Sequence, residues 1–167
     1  QKNWELVLQY LNEAVSKDTK FSAAYYELFY YYFYRAKFQE AEEQLKKYID
    51  SKLPDNEIQD EYLYAQLGWA RKDFESAVTK GEKVVATMGD KTKPKGYRLL
   101  ADAYFQKGDY QNAKKYSDLF FLKKNPEDVI LPDYEIKAAV ESKTGGTPDQ
   151  IYNTYMAGVA LDTTVEA

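Results

Sequence analysis

Apolar positions along the chain recur mostly at spacings of three and four, the period of helices that bury one face. Phe38, Ala41, Leu45, Tyr48 and Ile49 show this most cleanly, with Glu and Lys at the positions between. The segment from Tyr25 to Arg35 is apolar at nearly every position and, taken alone, fits a buried helix or a strand. Its length and the helical spacing of the segments aligned with it decide for helix. The pattern predicts helices over 3–17, 21–35, 38–51, 57–71, 74–87, 94–107, 110–124, 132–142 and 148–161, about nine in all, and no strand. Pro54, Pro94, Pro126, Pro132 and Pro148 all fall in predicted loops or first turns, where proline is tolerated.

These elements repeat. Tyr34-Arg35-Ala36-Lys37-Phe38-Gln39-Glu40-Ala41, Ala70-Arg71-Lys72-Asp73-Phe74-Glu75-Ser76-Ala77 and Gln106-Lys107-Gly108-Asp109-Tyr110-Gln111-Asn112-Ala113 align without gaps. Phe38, Phe74 and Tyr110 are 36 residues apart, as are Ala41, Ala77 and Ala113. Phe29, Ala65 and Ala101 stand 12 residues before those alanines, and Pro54 and Pro126 are 72 apart, with Asp90 at the intermediate place. Each unit reads as two helices joined by a tight turn at Ala36-Lys37, Lys72-Asp73 or Gly108-Asp109. Gly108 suits a left-handed position at a helix end, and Asp73 and Asp109 suit helix N-caps.

A helix pair of this length, with small residues at the crossing, an aromatic opening the second helix and a proline after it, resembles the tetratricopeptide repeat. The third unit is the closest match, through Tyr97, Leu100, Ala101, Tyr104, Gly108, Tyr110, Ala113 and Pro126. The second keeps Ala65, Phe74 and Ala77 but has Gly68 where the family usually has an aromatic. The first has Tyr25, Leu28, Tyr32, Phe38 and Ala41, with Phe29 at a small-residue position, which implies wider spacing of its two helices.

Trp4 to Asp18 resembles a lone second helix, since Val7 and Leu11 precede Ala41 and Leu45 by 34 residues. Its mate is missing, so the intact protein is expected to extend beyond Gln1. The resemblance implies an all-α, right-handed α-solenoid of stacked antiparallel helix pairs. Its divisions are 1–18 (second helix of a truncated repeat), 21–54, 57–90, 94–126 and a degenerate pair over 132–162 with the longer connector Lys143-Thr144-Gly145-Gly146-Thr147. One pair cannot bury its apolar face alone, so neighbouring pairs must stack and share a core.

Composition changes the functional picture more than the fold. Among 167 residues there is no Cys and no His, which removes disulfides, thiol nucleophiles, imidazole bases and the usual zinc and haem ligands. Carboxylates, Lys, Tyr and Ser/Thr remain, and no catalytic or metal-binding set emerges from them. Glu40, Glu42 and Glu43 read as a solvated helix face; Asp55, Glu57, Asp60 and Glu61, like Asp133-Tyr134-Glu135, read as helix openings favoured by the helix dipole. Gly145-Gly146-Thr147-Pro148 lacks the Lys and the preceding strand of a phosphate loop and reads as a turn. Lys46-Lys47 and Lys123-Lys124 are single doublets and the net charge is −4, so neither nucleic acid nor an anionic membrane is an expected partner. No run approaches the roughly 20 apolar residues of a membrane span.

The excess is aromatic: 17 Tyr and 16% aromatics overall. Consecutive helix residues lie about 100° apart, so Tyr30-Tyr31-Tyr32-Phe33-Tyr34 cannot all face one core. In the family it resembles, the first helix of each pair lines a concave groove that binds partner peptides. That geometry carried over gives a groove of Tyr26, Tyr30, Phe33, Tyr34, Tyr62, Gln66, Trp69, Arg98, Asp102, Phe105 and Gln106. Two readings stay open: an aromatic trough for a ligand, or rings that pack against the next repeat. The family's basic clamp for terminal carboxylates is not present, because Tyr26 and Tyr30 occupy its places in the first unit, and Lys95 with Arg98 gives only a local basic spot.

The leading expectation is therefore a non-catalytic scaffold that binds a protein segment in the groove, without cofactor or metal. A carbohydrate or small-ligand binder, or an accessory domain of a larger envelope protein, are the alternatives. Coplanar exposed rings flanked by Asp, Asn or Arg would favour a sugar; aromatics spread over successive repeats would favour a peptide. Self-association through exposed end helices is a further expectation. The composition resembles bacterial repeat proteins exported to the envelope or periplasm, with the cytoplasm as the other location.

Overall fold

Periodic apolar faces become nine helices in the computed structural model, which describes residues 3–52 and 57–162. They are α1 (Trp4–Lys17), α2 (Ser22–Phe33), α3 (Phe38–Ser51), α4 (Glu57–Ala70), α5 (Phe74–Met88), α6 (Pro94–Gln106), α7 (Tyr110–Lys123), α8 (Leu131–Lys143) and α9 (Pro148–Asp162). Single 3₁₀ turns at Gly89–Lys91 and Pro126–Asp128 lead into α6 and α8. Among the described residues there is no strand. Pro54 and Asp55 lie outside the described residues.

Helices pack as the neighbouring pairs α2/α3, α4/α5, α6/α7 and α8/α9, and the pairs stack on one another, giving an all-α solenoid. The turn inside each pair is the same device. Ala36, Lys72, Gly108 and Gly145 take left-handed φ values of 55°, 63°, 80° and 89°. The next N–H then bonds back to a carbonyl five residues earlier: Lys37 to Tyr32, Asp73 to Gly68, Asp109 to Tyr104 and Gly146 to Glu141. These bonds satisfy the last carbonyls of the first helix. Carboxylates of Asp73 and Asp109 accept from the N–H groups of Ser76 and Asn112, capping α5 and α7, and the Thr147 hydroxyl caps α9 in the same way. The connector of the last pair therefore has the architecture of the others rather than being an extended link.

Small residues sit where the helices cross. Ala41, Ala65, Ala77 and Ala113 are fully buried and Ala101 nearly so. Gly68 answers a crowded contact, since a Cβ there would stand 3.0 Å from the backbone N of Ala77. Phe29, the large residue at a small-residue position, is completely buried with Ala41, Leu45, Leu63 and Leu67. A second, larger core runs through the later units and includes Leu100, Ala103, Tyr116, Phe120 and Val140. In it Tyr97, Tyr116 and Tyr104 stack nearly parallel, and the Tyr104 and Tyr116 hydroxyls each donate to a Glu82 oxygen at 2.7 Å.

Three of the acidic residues, Glu42 expected on a solvated face and Asp60 and Glu61 expected to open a helix, also form ion pairs with other elements. Asp60 is buried and pairs with Lys52 at 3.1 Å, Glu61 pairs with Lys80 at 2.9 Å and with Lys83 at 2.5 Å, and Glu42 meets Arg71 at 2.7 Å. Of the three, only Asp60 is buried, and there the lysine offsets part of the cost of taking a carboxylate out of water.

Candidate functional site

Side chains seven apart on a helix share a face, and the first helices of successive pairs turn such faces into one concavity. Tyr62, Gln66 and Trp69 come from α4; Lys95, Arg98, Leu99 and Asp102 from α6; Pro132, Asp133 and Ile136 from α8. Phe33 and Tyr34 close one end from the last turn of α2, while Phe120 and Phe121 of α7, with Ile130, close the other. The result is a cleft of about 480 Å³, within the range of ligand-binding cavities.

Of the residues expected in the groove, the structure brings Phe33, Tyr34, Tyr62, Gln66, Trp69, Arg98 and Asp102 into this cleft. It places the others elsewhere. Tyr26 packs its ring on Tyr30 and Tyr48, against the core of the first pairs. Phe105 leans on Tyr110, and Gln106 is exposed, touching the cleft only through Asp102. Tyr30 is half-buried and lines a separate hollow beside α1 with Trp4, Val7, Leu11 and Glu27. Its hydroxyl donates to Gln66 Oε1 at 3.3 Å, and burial pushes its pKa well above the ordinary tyrosine value.

Exposure separates the rings that can meet a ligand from those that hold the fold. Tyr34 is 77% exposed and Trp69 42% exposed, so neither ring is core. Tyr62 is a core residue with one edge in the cleft; burial pushes its pKa up to about 12, against the opposing pull of Arg98. The Trp69 indole N–H donates to Asp102 Oδ2, and Gln106 donates to Asp102 Oδ1 at 3.1 Å, which fixes both the ring and the carboxylate.

Arg98 is not a free basic spot. Its Nε and Nη2 lie 2.7 Å from the two oxygens of Asp133, and Nη2 also donates to the Asp128 carbonyl. Asp133 meanwhile accepts from the Ile130 N–H at the start of α8, so one buried carboxylate caps a helix and ties two units together. Lys95, by contrast, lies over the Tyr62 ring at 4.3 Å with no carboxylate paired to it among the described residues. Its pKa is lowered, first by the loss of water around its ammonium and then by Lys93.

Sequence reasoning missed the wall made by Phe120, Phe121, Ile130, Pro132 and Ile136. The only available signal was the apolar cluster on both sides of Pro132, which reads equally well as core. Among the described residues, no group of acidic side chains is arranged to hold a metal ion, and no helix is long and apolar enough to cross a membrane. No family model and no curated protein matches the chain.

Proposed function

We propose that the chain is a tetratricopeptide-like, non-catalytic binding module that takes an extended segment of a partner protein in the concave cleft. The observation that carries this reading is the spread of the cleft over four successive helix pairs, with aromatic rings from three of them: Tyr34, then Tyr62 and Trp69, then Phe120 and Phe121. Three steps between neighbouring first helices, at about 10 Å each, make a trough roughly 30 Å long. An extended chain rises about 3.3 Å per residue, so such a trough suits about nine residues. The rings come from three successive pairs rather than from one, which favours a ligand that runs along the trough. Large, rigid rings of this kind commonly act as binding anchors.

The test is a selection of displayed peptides on the immobilised protein, followed by affinity measurements on the selected sequences. Replacing Tyr34 and Trp69 by Ala should weaken binding by more than tenfold, as loss of anchors costing ~2 kcal/mol each would require. Helix content should hold, because both rings are exposed. Unchanged affinity would move the site away from the cleft, and binding of oligosaccharides in place of peptides would select the carbohydrate reading.

A further inference from the structure

Two charges in the cleft are held in place and have no ionic partner among the described residues. Asp102 receives only neutral donors, the Trp69 indole N–H and the Gln106 amide. Arg98 stands one helical turn before Asp102 and would be its natural partner, but it turns the Nε–Nη2 edge of its guanidinium to Asp133 and the Asp128 carbonyl, and the two residues form no ion pair. Lys95 has the Tyr62 ring beneath it, and the like-charged Lys93 repels it. Lys95 and Asp102 are seven residues apart on α6, so they share a face. At 1.5 Å rise per residue they are separated by about 10 Å along the helix axis.

Resting on the peptide reading above, we propose that the bound segment carries an acidic side chain seated against Lys95. A basic side chain seated against Asp102 follows two to four residues away. Three residues of a polyproline II segment span about 9 Å with both side chains on one edge. Two or four residues of a strand, at about 3.3 Å each, bracket the same distance, and long side chains absorb the difference. A wholly apolar segment would strip water from both charges and return nothing, which is costly for ions left unpaired. The reversed arrangement would set like charges together at both ends. The cleft therefore selects for one order of charges as well as for apolar content. Because Asp102 is fixed by two donors and Lys95 by a ring, little side-chain freedom is lost on binding.

The experiment is a phage-displayed library of random peptides of about 12 residues, long enough for the ~30 Å trough. The peptides are joined to the coat protein at their C-termini, so that only side-chain carboxylates are offered. Selection runs in parallel on the wild type and on Lys95→Glu, Asp102→Asn and Trp69→Ala. Wild-type selections should be enriched in an acidic and a basic residue two to four positions apart. Neutralising either one should weaken a selected peptide about two- to fivefold, the effect of one ion pair at a largely open site. Lys95→Glu should convert the acidic preference into a basic one and leave the other position unchanged. Asp102→Asn, which keeps an acceptor for the Trp69 N–H, should erase the basic preference alone. Identical sequences from wild type and Lys95→Glu would overturn the proposal. So would peptides that depend on Trp69 but show no charge pattern, which leaves the cleft reading standing. If no selected peptide depends on Trp69, the peptide reading itself falls and this proposal goes with it.

Discussion

Ala36, Lys72, Gly108 and Gly145 share one backbone conformation and differ in how well they suit it. A side chain in the left-handed region brings Cβ against the following carbonyl, at a cost of roughly 1–2 kcal/mol that glycine avoids. Gly108 was therefore readable from the sequence as a helix-ending residue, whereas Ala36 and Lys72 carry no such mark. Their conformation is imposed by the bond from the next residue's N–H to Tyr32 or Gly68 and by the helices on either side. Lys72 is exposed, so its side chain can be removed without loss of packing. Lys72→Gly should raise stability by about 0.5–1 kcal/mol, the strain relieved less the added freedom of the unfolded chain. A urea titration checks this, and a lower midpoint at unchanged slope would show that the turn stores no strain.

The helices themselves were legible almost to the residue, because apolar spacing, proline positions and capping aspartates all point to the same boundaries. What the sequence did not show is how closely the helices approach. Gly68 stood out only as a departure from an aromatic preference; in the fold it is the place where α4 lies against the backbone of α5. An alanine in mid-helix is ordinarily about 1 kcal/mol better than glycine. Here Gly68→Ala sets a Cβ 3.0 Å from the Ala77 nitrogen and 3.2 Å from the Asp73 carbonyl oxygen, and backbone cannot swing aside as a side chain can. The expected outcome is a loss of about 1–3 kcal/mol in equilibrium unfolding, with helix content kept. A gain would mean that the two helices have slack at the crossing. The same closeness gives two residues read only as helix openings a further role. Asp60 and Glu61 meet their lysines only once α3 and α5 are laid beside α4, a relation no local pattern carries.

At the scale of the whole molecule, the cleft follows from stacking rather than from any one helix. The faces of α4 and α6 could be read from the sequence because residues seven apart share a side, and Tyr62, Gln66, Trp69, Arg98 and Asp102 follow from that. The opposite wall depends on the curvature that brings α7 and α8 round, and periodicity along one helix holds no information about it. Stacking also grades stability along the chain, since each pair leans only on its neighbours. Middle helices are enclosed on both sides: Leu63, Ala65, Leu100, Ala113 and Tyr116 are all buried to within 1%. End helices are not. No residue of α1 is buried, and α9 leaves Tyr152, Tyr155 and Met156 exposed, with its closest approach at Gly158 beneath Tyr134. Local opening free energy falls with buried apolar contact, so the ends should open without disturbing the middle. Amide hydrogen exchange should show α1 and α9 exchanging at least ~100-fold faster than α4 through α7, a difference of about 2.8 kcal/mol in opening free energy. Trp69 and Asp102 lie on α4 and α6, so that gradient keeps the cleft rigid while both ends fray. Equal protection from α1 to α9 would mean that the chain unfolds as one cooperative unit, and the nearest-neighbour account of its stability would fail.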